Sequence, residues 1–120
     1  MPAYFSPPSP LEYLSNFVWR FYNEITPFLE EGDFEAAKVH IDDLVLRHWI
    51  CDSRIPMENL GAVYGVYLCS IVELGGFSKM VENGKIKTAN ITLQMAKRSI
   101  AEIDLVLSEN PEYESRRARN

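Results

Sequence analysis

Ile86, Ala89, Leu93, Ala96, Ile100, Ile103 and Leu107 recur three and four residues apart, a spacing that places all seven on one face of an α-helix and that no strand can use. A helix with a single apolar face has to bury it, so this segment requires partners of the same kind. The chain supplies three. Ser9-Pro10-Leu11-Glu12 carries a cap serine, a proline at the first helical position and a glutamate three residues after the cap. It opens a first helix with Leu11, Leu14, Val18, Phe21, Ile25, Phe28 and Leu29 on its inner face, ending at Gly32. Pro27 lacks an N–H and is expected to kink or briefly interrupt that helix.

Asp33 is placed to cap a second helix whose inner face is Phe34, Ala37, Ile41, Leu44, Val45 and His48. After a polar connection at Asp52 to Ile55, Pro56 suits the first turn of a third helix running through Met57, Leu60, Tyr64, Tyr67, Leu68, Ile71 and Leu74. Gly75-Gly76 reads as its stop, with a loop from Phe77 to Gly84. Asn110-Pro111 closes the fourth helix. No segment alternates with period two. The expected fold is therefore all-α: four main helices in two antiparallel hairpins, either tetratricopeptide-like or a four-helix bundle. Residues 1–9 read as an N-terminal arm, 10–110 as a single domain and 111–120 as a flexible tail.

Charge is uneven. Residues 1–60 hold ten acids against four bases, and residues 61–120 hold seven against eight, within a net charge of −5. Such asymmetry suits docking between copies or onto a basic partner, and the acidic total disfavours nucleic acid despite the loose basic group Lys79, Lys85, Lys87, Lys97 and Arg98. Glu73 interrupts the longest apolar stretch, Leu60 to Leu74, which is too short to span a membrane. Residues 1–10 lack the basic and apolar regions of a secretory signal, so a cytoplasmic protein with reduced, buried Cys51 and Cys69 is expected.

Phe21, Phe28, Ala37 and Ile41, with Gly32-Asp33-Phe34 at the turn, stand at tetratricopeptide spacing, and residues 18–49 resemble one such hairpin. Phe21 takes the Trp place, Phe28 the Tyr place, and Ala37 and Ile41 the Ala and Phe places. Glu24-Ile25 replaces the Leu-Gly pair, Leu44 the second Ala and Trp49 the closing Pro, while Thr26 falls where the family's carboxylate-clamp Asn would be. The resemblance implies protein or peptide binding through a helical groove.

The chemistry-bearing residues assemble no catalytic pattern. His40 and His48 lie eight apart, about 12 Å along a helix, too far to share a metal ion. His40 is expected beside Asp43 on the surface and His48 at the helix end, where the dipole favours it. The pairs Glu30-Glu31 and Asp42-Asp43 point in different directions on a helix and form no acid–base dyad. No cofactor is expected. Gly61, Gly65 and Cys69 recur every four residues and are expected to pack tightly inside the domain.

Apolar residues outside the inner faces are more informative. Val39, Leu46 and Ile50 share one line of the second helix, Trp19 projects from the first, and Ile91, Met95 and Leu105 lie on the back of the fourth. A second apolar surface of this kind is most commonly covered by self-association. The expected function is non-enzymatic: a protein–protein interaction module, acting as adaptor, chaperone-like factor or regulatory subunit, that forms a homodimer through Trp19, Val39, Leu46 and Ile50. The alternative is a helical bundle binding a small ligand between the second and third helices, with Tyr64, Tyr67, Glu73, His48 and Cys69 as its lining.

Overall fold

The computed structural model describes residues 9–51 and 54–110. The expected arm over residues 1–8, the tail over 111–120, part of the polar connection and the Cys51 side chain lie outside the described residues. Helices α1 (Pro10–Arg20) and α2 (Thr26–Glu30) form one rod joined by a π-helical turn, Phe21–Ile25. Three further helices follow: α3 (Phe34–Cys51), α4 (Ala62–Glu82) and α5 (Ile86–Ser108). The four rods run alternately up and down, and each packs on the next, with α1 closing the ring against α5. The fold is all-α, as the periodicity requires. Among the described residues, no helix is long and apolar enough to cross a membrane.

Local chemistry sets the boundaries. The Ser9 hydroxyl accepts from the Glu12 N–H at 3.1 Å, and the Glu12 carboxylate accepts from the Ser9 N–H at 3.0 Å, the reciprocal cap read from the sequence. Asp33 caps α3 by accepting from the Ala36 N–H at 3.1 Å. The α2–α3 and α4–α5 turns end their helices alike. Gly32 and Gly84 have φ of +75° and +74°, and the residue after each donates back across the last turn, Asp33 to Phe28 and Lys85 to Met80.

The third helix departs from expectation at both ends. Pro56 precedes a 3₁₀ turn, Met57–Leu60, and Gly61 at φ +68° resets the backbone before α4 begins at Ala62. At the far end α4 does not stop at Gly75-Gly76 but continues through the expected loop to Glu82. Two mid-helix glycines cost about 1 kcal/mol each relative to alanine, whereas burying Phe77 and Val81 contributes about 1.5–3 kcal/mol each. Burial outweighs propensity, and Gly84 supplies the stop. Gly76 also helps α4 and α5 form the most extensive helix contact in the bundle, since a Cβ there would stand 3.4 Å from Thr92 Cγ2.

The core joins Leu14, Phe21 and Ile25 to Ile41, Leu74 and Phe77 and to α5's Leu93, Ile100, Ile103 and Leu107. Of the α5 stripe read from sequence, Ile86 alone is exposed.

Candidate interaction surface

The contact between α3 and α4 is less extensive than that between α4 and α5, and it opens outward into a cleft of about 410 Å³. Because the helices are antiparallel, the cleft is graded along its length. Lys38 and Asp42 on α3 face Lys79 and Glu82 on α4 at one end, while Val45, Leu46 and Trp49 gather toward Gly75 at the other. Gly75 opens the floor, since a Cβ there would meet nothing within 4 Å. The polar end is fixed through Asp42, which pairs with Lys38 Nζ at 2.8 Å and accepts from the Ser78 hydroxyl at 2.5 Å.

Leu46 is 55% exposed and lines this cleft, with Val39 and Ile50 exposed on the adjoining outer line of α3. Trp19 is 38% exposed on α1 and does not line it, so the structure does not gather all four candidate residues on one surface. Trp49, 71% exposed at the cleft, was not among them. Its signal was available: three residues after Leu46 and one before Ile50, it belongs to the same outer half of the helix. Val72 on α4, one turn before Gly75, is 73% exposed and extends the apolar end.

The small-residue line on α4 is a correction. Gly61, Gly65 and Cys69 face outward, with open space where a Cβ would stand on either glycine, instead of packing inside. α4 turns Phe77 and Tyr67 inward, and this line occupies the opposite, solvent-facing side with Val72.

The residues proposed to line an internal ligand pocket divide. His48 is buried at 4% exposure, its Nδ1 lying 2.9 Å from the Tyr67 hydroxyl, which is 3.1 Å from the Tyr13 hydroxyl, and Tyr64 stacks on Tyr67. Glu73 points toward α5 and accepts from the Ser99 hydroxyl at 2.7 Å, and Cys69 faces solvent. His48 is thus buried, as its place on the inner face of α3 predicts, and near the helix end it belongs to a polar chain. His40 stacks on Phe28, their ring centroids 5.3 Å apart.

A second polar cluster ties the rods together beside α3. Arg20 Nε lies 2.8 Å from Glu24, Arg20 Nη1 2.9 Å from Asp43, and Arg47 Nε 3.0 Å from the same Asp43 oxygen. The hydrogen bond from Arg47, with that from Arg20, holds the Asp43 carboxyl below its ordinary pKa. The adjoining cavity, about 20 Å³ between Tyr13, Asn16 and Arg47, has room for about one water molecule and not for a metabolite. Comparison with protein-family models, with curated proteins and with solved structures finds no match in any of the three.

Proposed function

We propose that this chain is a non-enzymatic protein-interaction module that self-associates and serves as an adaptor, chaperone-like factor or regulatory subunit, with the α3–α4 corner as its contact surface. The observation that carries the reading is the juxtaposition of exposed Leu46, Trp49, Ile50 and Val72 with an open cleft between two helices. Contiguous exposed apolar patches mark interaction sites, and an exposed tryptophan beside a recess is the usual kind of anchor. The tetratricopeptide likeness of residues 18–49 supports the same class of function, because that family presents helices to protein segments. Trp19 is assigned a secondary contact outside the cleft.

Leu46→Asp tests the assignment. A charge at the centre of the patch is expected to abolish self-association, read by light scattering behind size exclusion, and to abolish recovery of protein partners on the immobilised chain. The far-UV circular dichroism should remain unchanged. A variant with wild-type mass and wild-type partner recovery removes the α3–α4 corner as the contact surface.

A further inference from the structure

We infer that the occupant of the α3–α4 cleft is a second copy of this chain, related by a two-fold axis, with the Trp49 indole of each copy seated over Gly75 of the other. The inference rests on the reading of this corner as an interaction surface and names its partner and geometry.

A two-fold contact sets a patch against itself, so the patch must carry both a projection and a recess. This corner carries both. Trp49 is the projection, 71% exposed at the apolar end, and the recess is the cleft of about 410 Å³, whose floor at Gly75 has open space where a Cβ would stand. Leu46 lines the cleft beside the pair, Ile50 and Val72 stand one helical turn from Leu46 and Gly75 on their own helices, and all three are more than half exposed, so docking removes apolar area from water on both copies at once.

Self-docking also requires that the patch not repel itself. The chain carries −5 overall, with ten acids against four bases in residues 1–60, and a contact made by that half alone would oppose like charge to like. The cleft is balanced instead: Lys38 and Lys79 stand against Asp42 and Glu82. Lys38 pairs with Asp42 within a copy and also feels the Glu82 charge, while Lys79 and Glu82, both exposed and one turn apart on α4, can meet the other copy's Glu82 and Lys79 across the axis.

The test uses the full chain as wild type, Trp49→Ala and Gly75→Leu. Gly75→Leu fills the recess without a clash at Cβ and replaces a glycine inside a helix by a better helix former, so its fold is retained. Light scattering behind size exclusion, loaded from about 10 to 500 μM, should give a dimer for wild type and a monomer for each variant at loads where wild type is dimeric. An equimolar mixture of the two variants should recover a heterodimer weaker than wild type by about 10- to 100-fold, because one intact indole can still enter one intact recess. The inference is overturned by a monomeric wild type across this range, by a Gly75→Leu chain that dimerises as wild type does, or by a mixture that stays monomeric at loads more than about 100-fold above the wild-type dissociation constant. A monomeric wild type that recovers a protein partner, and loses it on Leu46→Asp, overturns the two-fold contact and the self-association with it, and leaves in place only the reading of this corner as a contact surface for another protein.

Discussion

Tyr67 on α4 and His48 on α3 meet in the bundle interior, hydroxyl to Nδ1 at 2.9 Å, and the same phenol lies 3.1 Å from the Tyr13 hydroxyl on α1. One side chain therefore links three rods through polar contacts while its ring packs edge-on against Phe17 and His48. Tyr67→Phe keeps the ring and removes the hydroxyl. Because Tyr67 and His48 are buried, the change removes one hydrogen-bond partner from His48 in the interior. The expected loss is about 1–3 kcal/mol, seen as a lower urea midpoint with an unchanged slope. An unchanged midpoint would mean that the chain of hydroxyls adds nothing to the apolar packing around it.

Three glycines give three different expected outcomes from the same substitution. Gly75→Ala adds a methyl group in open space inside α4 and should stabilise the fold by about 0.5–1 kcal/mol. Gly76→Ala meets Thr92 Cγ2 at 3.4 Å, the near limit of ordinary contact, so its gain should be smaller than that at Gly75. Gly32→Ala forces a side chain to φ +75° and should destabilise by about 1 kcal/mol or more. Thermal melts of the three variants rank them directly, and a destabilised Gly75→Ala would contradict the open floor assigned to the cleft.

The sequence made the fold class legible because helical periodicity and capping are local. Ser9, Asp33 and Gly32 act in the structure as their positions predict, and the α5 stripe is buried apart from Ile86. The α4 terminus was not legible, because Gly75-Gly76 carries a local stop signal that is overridden by the burial of Phe77 and Val81 against distant helices. The outward turn of Gly61, Gly65 and Cys69 was hidden for a similar reason. Helix α4 is apolar nearly all round, so its wheel does not say which side faces the core. At the candidate surface, the exposure of Val39, Leu46 and Ile50 followed from the amphipathic pattern of α3, but the cleft depends on how two helices splay. That pairing is what brings Trp49 and Gly75 to one site, and no spacing in the chain encodes it.

The Asp43 carboxyl lies below its ordinary pKa because Arg47 and then Arg20 hydrogen-bond its charged form. A carboxyl depressed on folding contributes stability that is present above its unfolded pKa and lost as pH falls through the folded one. Asp43→Asn should therefore be less stable than wild type at neutral pH, and the gap should narrow below about pH 4. Asp43 and Arg47 are both substantially exposed, so solvent and salt screen the contribution, and the gap should shrink at high ionic strength. Urea titrations of both chains across pH 2.5–7 check the sign, and a gap that widens in acid would exclude this assignment.

Pro27 explains the widened turn between α1 and α2. It has no N–H to donate, and its ring would collide with the carbonyl four residues back in a regular helix. The chain responds over Phe21–Ile25 with a turn one residue wider, in which the Thr26 N–H reaches the Phe21 carbonyl. The Thr26 hydroxyl donates to that same carbonyl at 3.0 Å, so the side chain reinforces the displaced backbone bond. Thr26→Val preserves shape and removes this second donor, for an expected cost of about 1 kcal/mol. In a Pro27→Ala background the rod can relax toward ordinary helical bonding, and the hydroxyl is no longer tied to a widened turn. The cost of Thr26→Val should then fall, with a coupling of about 0.5 kcal/mol or more between the two sites in a double-mutant cycle read by urea denaturation. Strict additivity would show that the hydroxyl acts independently of the proline and that the wide turn has another cause.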